Sequence, residues 1–267
     1  MLPSTEALSQ LIREAARTEL LPRFADVHRE TKHDGSLVTA ADLAMQRRLR
    51  EALAGGWPDI EFLGEEMSAQ EHAALVQTAT QRDLWCLDPL DGTTNFAAGV
   101  PYFAVSLALL RDGKPELGFV YDPVRDECFS ARRGDGAQLN GKPLGTHESP
   151  GVTLAHAVAA IDFKRLPGPL GARLAADPPY ASQRNFGAST LDWCWVADRR
   201  FHIYLHGGQR LWDYAAGSLI LAEAGGFAVT LQGEAVFALD LAPRSVVAAR
   251  DAALLNVWLR WITAHMR

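Results

Sequence analysis

Asp88-Pro89-Leu90-Asp91-Gly92-Thr93-Thr94-Asn95-Phe96 sets two carboxylates three residues apart around a proline, then adds a glycine and two hydroxyls. The apolar run Leu84-Trp85-Cys86-Leu87 before it reads as the end of a buried strand, so the motif is expected where a strand turns into a loop. Pro89 removes a backbone donor and stiffens that turn. Carboxylates gathered with carbonyls and water are the surroundings that hard cations such as Mg²⁺ prefer. The same residues also make an ordinary Asp-Pro…Asp-Gly surface turn. Partners elsewhere in the chain separate the two readings. Gly64-Glu65-Glu66 follows the strand-like Ile60–Leu63, Leu37-Val38-Thr39-Ala40-Ala41-Asp42 lies upstream, and Trp212-Asp213-Tyr214-Ala215-Ala216-Gly217 opens an apolar helix running to Gly225-Gly226. Acidic groups brought together from separate segments could hold such cations, which lower the pKa of bound water and neutralise negative charge on a ligand.

The elements that must position these groups follow from pattern. Ser4 caps a first helix with the stripe Leu8, Leu11, Ile12, Ala15 and Leu20. A second helix is predicted from Ala40 to Ala54, stopping at Gly55-Gly56, and Ser68 with Glu71 signals a capping box for a third. Strands are predicted over Tyr102–Leu110, Glu116–Tyr121 and Glu127–Ala131, with tight turns at Asp112-Gly113 and Asn140-Gly141. Beyond residue 145 the pattern alternates. Strands are expected at Leu154–Ile161, Phe201–Leu205, Phe227–Leu231 and Ser245–Ala249, and helices at Ala188–Asp198, Trp212–Ala224 and Asp251–Met266. Gly168–Ala176 is a short segment bounded by prolines. The reading is an α/β (α+β) layered sandwich of two closely packed halves, 1–143 and 144–267.

Composition narrows the function classes. The 267 residues are 48% hydrophobic and 22% charged, those of an ordinary soluble globular protein. No run of about 18 apolar residues occurs, so no membrane partner is expected. The first 19 residues lack the apolar core of a signal peptide. Cys86, Cys128 and Cys194 form no metal pattern and leave an odd thiol, which fits reduced core cysteines and a cytoplasmic location. The net charge of −6 argues against a nucleic-acid partner. An acidic protein that handles an anion must reverse its charge locally, and divalent metals do so.

Asp42, Glu65-Glu66, Asp88-Pro89-Leu90-Asp91-Gly92-Thr93 and Trp212-Asp213, in that order, resemble the inositol monophosphatase family. These are the lithium-sensitive, Mg²⁺-dependent phosphatases that also include fructose bisphosphatases and nucleotide and histidinol phosphatases. The resemblance runs from about Lys32 to Gly226. It implies an αβαβα sandwich with the metal site between the halves, two to three Mg²⁺ ions, and commonly a homodimer. Glu65, Asp88 and the carbonyl of Leu90 would hold a first ion, and Asp88, Asp91 and Asp213 a second. A weaker third would lean on Glu65 and water. Thr93, held by Asp42, would orient water activated by metal for direct in-line attack, and the backbone N–H groups of Gly92 and Thr93 would receive phosphate oxygens. Lys32, in the polar segment Thr31–Ser36, resembles the family's mobile-loop lysine.

The substrate is a small phosphorylated polyol or sugar on this resemblance, with inositol-1-phosphate first. Asp91 and Asp213 border it, and Arg184, Gly187, Ala188 and Ser189 match the segment that meets sugar or inositol hydroxyls. Arg184 could instead serve packing or a dimer contact. His206, seven residues before Asp213, stands where inositol phosphatases usually carry a Glu that binds ring hydroxyls. It could bind a hydroxyl or, if protonated, a second phosphate. The segment Asp162–Pro179 is Pro-rich and reshapes the pocket rim. Fructose-1,6-bisphosphate, histidinol phosphate and 3′-phosphonucleotides are alternative substrates of the same chemistry, and a regulatory scaffold without turnover is a different class.

Overall fold

A computed structural model of the chain describes residues 3–24, 29–31, 37–145 and 151–266. Helix α1 (Thr5–Glu19) begins at Ser4, whose Oγ accepts the N–H of Ala7 at 3.1 Å, and it buries Leu8, Ile12, Ala15 and Ala16. A short antiparallel pair, β1 (Arg29–Thr31) and β2 (Leu37–Thr39), leads into α2 (Ala40–Gly56). That helix continues through Gly55 and Gly56, beyond the expected stop, and ends before Trp57. Next come β3 (Glu61–Gly64) and α3 (Ala69–Thr78), which carries the Ser68–Glu71 capping box. Then follow β4 (Leu84–Asp91), the short α4 (Thr93–Ala98), β5 (Ala104–Arg111), β6 (Lys114–Asp122), β7 (Glu127–Arg132), β8 (Gly136–Leu139) and β9 (Lys142–Pro143). Both tight turns take the left-handed backbone expected of them, at Asp112 and Gly113 (φ 51° and 68°) and at Asn140 and Gly141 (φ 50° and 77°).

Strands β3 to β9 form a seven-stranded sheet in chain order, antiparallel apart from β3 beside β4. The second half contributes β10 (Val158–Asp162), α5 (Gly168–Ala176), β11 (Ser182–Arg184), α6 (Ser189–Ala197), β12 (Ile203–Gln209), α7 (Leu211–Glu223), β13 (Phe227–Val229), β14 (Arg244–Ala249) and α8 (Ala252–His265). Its five-stranded sheet has the order β11-β10-β12-β14-β13, with β10, β11 and β12 mutually parallel. The strand expected over Leu154–Ile161 starts only at Val158. Bonds from the His156 and Ala157 N–H groups to the carbonyls three residues earlier wind Leu154–His156 into a 3₁₀ turn, which an apolar run does not reveal.

Side-chain alternation along the strands builds five layers. In the large sheet Trp85, Leu87, Val105, Leu107, Leu109, Phe119 and Tyr121 face α1 and α2. Their neighbours Cys86, Ala104, Ala108, Leu110 and Val120 face the opposite way, into a core shared with α6 and α7. In the small sheet Ala160, Tyr204, Val246 and Ala248 close that same middle core from the far side. Ala159, Ile161, Ile203, Leu205, Val247 and Ala249 turn outward onto α5 and α8. The order is therefore αβαβα, with α6 and α7 between the sheets. All three cysteines are buried and free.

Candidate metal and phosphate site

The Asp88–Phe96 motif is not the loop that its residue types suggest. Strand β4 runs on through Asp91, and Asp88 pairs with Ser106 whereas Asp91 pairs with Ala104, so β4 carries one extra residue in a bulge. Pro89 sits within that irregularity, where a missing N–H does not cost a ladder bond. The reversal comes at Gly92, whose φ of 86° only glycine adopts freely. A Cβ there would lie 3.1 Å from the carbonyl of Tyr102 and 3.2 Å from the Ala188 side chain.

Four aspartates are each held by a backbone N–H. Asp88 Oδ1 accepts from Leu90 N at 3.0 Å, Asp91 Oδ2 from Thr190 N at 2.6 Å, and Asp213 Oδ2 from Arg210 N at 2.7 Å. The bond to Asp91 joins the large sheet to the start of α6 across 99 residues of chain. Asp42 Oδ2 accepts from the Thr39 N–H and hydroxyl at 2.8 and 2.5 Å, which makes it the return half of a capping box on α2. Thr93 Oγ1 lies 3.1 Å from Asp42 Oδ1 and 3.0 Å from the carbonyl of Leu90, and its one proton serves either of them. The N–H of Glu65 donates to Leu87 O at 3.0 Å, which continues the β3–β4 pairing and brings Glu65 alongside Asp88.

Electrostatics bind these residues into one site. Burial, then the charges of Glu65, Asp91 and Asp213, raise the Asp88 carboxyl well above its ordinary range. Burial also pushes Asp91 up to about 6, and with Asp91 and Glu65 as neighbours pushes Asp213 to about 8. Burial raises Asp42 against the opposing bonds from Thr39. Among the described residues, no three His, Cys, Asp or Glu side chains close tightly around one point. The donor set nevertheless fits a divalent cation. Crowded, partly buried carboxylates that destabilise one another's charge are relieved by a positive ion, and the bonds on Asp88, Asp91 and Asp213 orient them to receive it.

The structure distributes the remaining expected residues unevenly. Arg184 ends β11, exposed, with Nη1 on the Ser182 hydroxyl and the Gln183 carbonyl, both at 2.7 Å. Gly187 has φ 78°, Ala188 is buried at the N-cap of α6, and Ser189 is its first residue. His206, expected as a substrate contact, lies in β12 among protein partners. Its Nδ1 accepts the Gly208 N–H at 3.1 Å and its Nε2 lies 3.5 Å from Asp162 Oδ2, so both ring nitrogens face protein groups. Glu66 donates its N–H to Gln46 Oε1 at 3.0 Å. Lys32 lies outside the described residues.

Three further residues shape the site. Asn95 Nδ2 donates to the carbonyl of Tyr102 at 2.7 Å and to that of Phe186 at 2.6 Å, which clamps the Arg184–Ser189 segment against the motif. Its place in the motif's tail was the available signal. Thr190 supplies the N–H on Asp91, and adjacency to Ser189 was its only sign. His72, in α3, contacts the Gly64 carbonyl at 2.7 Å through Nε2 and packs 5.0 Å from the Trp212 ring. It thereby backs both Glu65 and Asp213, with no local signal to find it.

Comparison with known proteins agrees with this architecture. A sequence model of the inositol monophosphatase family matches residues 3–266. The chain is 34% identical to the Nus factor SuhB of Pasteurella multocida over 79% of this chain and 78% of that one. It is 30% identical to inositol monophosphatase 1 of Mus musculus, over 92% and 86% of the two chains. The solved structure of an IMPase/NADP phosphatase complexed with Mg²⁺ and phosphate superposes with a TM-score of 0.79 at 27% identity, covering 96% of this chain and 91% of that one. The chain belongs to the inositol monophosphatase family.

Proposed function

We propose that the protein is a Mg²⁺-dependent phosphomonoesterase acting on inositol-1-phosphate or a similar small polyol or sugar phosphate. What supports this reading is the set of acidic residues from separate segments, Glu65, Asp88, Asp91 and Asp213, close enough in one partly buried site to oppose one another's ionisation. Glu65, Asp88, the Leu90 carbonyl, Asp91 and Asp213 would hold two to three Mg²⁺ ions. Such ions acidify water, neutralise phosphoryl oxygens and stabilise the departing alkoxide. Thr93 gives its proton to Asp42 and accepts one from the attacking water, so that a lone pair points at phosphorus. The N–H groups of Gly92 and Thr93 receive phosphoryl oxygens. A P–O bond forms to water, the ester P–O bond breaks in line with it, the departing alkoxide takes a proton from solvent, and inorganic phosphate and the alcohol result. No covalent intermediate is required. The buried, free cysteines support a cytoplasmic setting. A homodimer remains our reading by the family resemblance.

The test is phosphate release from a panel of esters, namely inositol-1-phosphate, fructose-1,6-bisphosphate, histidinol phosphate and a 3′-phosphonucleotide. Hydrolysis is expected with Mg²⁺, lost in EDTA and inhibited by millimolar Li⁺. Release that persists in EDTA contradicts the metal assignment. A second reading is favoured by the Pasteurella relative's name, that the chain also serves as a Nus factor. The net charge of −6 therefore does not exclude a nucleic-acid partner. A variant unable to hydrolyse phosphate esters separates the two roles.

A further inference from the structure

Strands β10, β11 and β12 run parallel, so their C-terminal ends lie on one edge of the small sheet. In open α/β sheets that edge is where ligands are held, because the chain there turns into helix N-termini. Here β11 leads to α6, whose Thr190 N–H holds Asp91, and β12 leads to α7, which carries Asp213. Asp162 ends β10 and is the register partner of His206. Ala160 and Tyr204, two residues earlier on each strand, face the middle core, so Asp162 and His206 point to the same side. The pair thus stands at the edge where both helices of the site begin.

Hydrogen bonding assigns unequal roles within the pair. His206 Nδ1 accepts the Gly208 N–H, so the ring proton sits on Nε2, which points at Asp162 Oδ2. Neither ring nitrogen is left for a ligand. Asp162 Oδ1 accepts the Lys164 N–H at 2.7 Å. A carboxylate has about four acceptor sites, so Asp162 keeps capacity that His206 lacks. Burial opposes its ionisation, but the bond from His206 and the Lys164 N–H outweigh this and hold its carboxyl below the usual range. The rim is braced as well. Arg165 Nη1 donates to the Gly208 carbonyl at 2.7 Å, and a Cβ on Gly207 would come within 1.8 Å of the Arg165 carbonyl. Residue 208 is thus tied through both its N–H and its C=O.

We infer that Asp162 is the acid that accepts a hydroxyl of the leaving alcohol, and that His206 is a positioning residue that fixes the Asp162 carboxylate. The ligand class is a phosphate ester whose alcohol bears a hydroxyl near the ester oxygen. The inference rests on the phosphatase reading above.

The experiment compares kcat/KM for the polyol phosphate turned over fastest in the panel with kcat/KM for p-nitrophenyl phosphate, which has no hydroxyl to read. The wild type, Asp162→Asn, His206→Ala and His206→Gln are assayed with Mg²⁺, and thermal melts report folding. In Asp162→Asn the polyol-to-aryl ratio is expected to fall about ten-fold, mostly through KM, because the amide turns a donor toward the hydroxyl. His206→Ala lowers the ratio too, while His206→Gln, whose amide N–H can still reach Asp162, restores most of it. A ratio that falls less than about three-fold in Asp162→Asn overturns the inference, since a merely structural role depresses both substrates together. If Asp162→Asn does not fold, Asp162→Glu, which keeps the charge but moves it, reads the same ratio. A wild type that hydrolyses neither ester refutes the phosphatase reading, and this inference with it. A wild type active on both, with a flat ratio across variants, refutes this inference alone.

Discussion

The outer helix α1 and the middle helices α6 and α7 bury themselves in different ways. Helix α1 has one apolar face on the large sheet and a solvated remainder, the ordinary amphipathic solution. Helix α6 buries Thr190, Leu191, Asp192, Trp193, Cys194, Val196 and Ala197, nearly its whole circumference. Helix α7 likewise lies between two sheets with scant clearance. A Cβ on Gly118 would come 2.9 Å from the Ala216 carbonyl, and one on Gly217 would come 2.6 Å from the Trp193 side chain. A helix enclosed this way also buries its first turn, whose N–H groups have no intrahelical acceptor. Asp91 supplies one to Thr190, and Asp213 supplies one to the Arg210 N–H at the start of α7. The layer least hospitable to charge is thus the one that gathers carboxylates, and it does so because its helix starts need acceptors.

Substitutions at matched positions sharpen this contrast. Gly217→Val, in the middle layer, is expected to destabilise by about 3 kcal/mol or more, read from urea midpoints at constant m. A loss below about 1 kcal/mol would mean that the middle layer has slack. Asn95→Ala breaks the clamp between the motif and the Arg184–Ser189 segment, and should lower kcat/KM about ten- to hundred-fold, corresponding to about 1–3 kcal/mol. An unaltered kcat/KM would show that the Phe186 and Tyr102 carbonyls need no such tie. Ser4→Ala removes the cap of the outer helix and should destabilise by about 1 kcal/mol with hydrolysis unaffected. Leu43→Ala, on the exposed face of α2 at 52% exposure, should change stability by less than about 0.5 kcal/mol.

Legibility in the sequence divides along the same line. The Ser4 cap, the stripe of α1, the Ser68–Glu71 box and the two hairpin turns are local, and the structure carries all of them. The acidic blocks are local too, but the closeness of Glu65, Asp91 and Asp213 that helps raise the Asp88 carboxyl comes only with the fold. The bulge in β4 could not be read, because it depends on the register of β5 against residues that themselves look like a turn. The bond from Thr190 to Asp91 and the reach of Asn95 to Phe186 each cross more than ninety positions, and no periodicity encodes them. His206 was legible as a departure. Its partner Asp162 emerged only from the pairing of β10 with β12.

On the proposed function, Glu65, Asp88, Asp91 and Asp213 cooperate through Mg²⁺ to hydrolyse a phosphate ester. Asp91→Asn tests it most directly, with phosphate release and thermal midpoint measured in Mg²⁺ and in EDTA. The wild type is expected to lose hydrolysis and Mg²⁺-dependent thermal stabilisation in EDTA. Asp91→Asn is expected to fold but to fall about a thousand-fold or more in kcat, with its response to Mg²⁺ reduced. Wild-type rates in Asp91→Asn, or a wild type indifferent to EDTA, would contradict it.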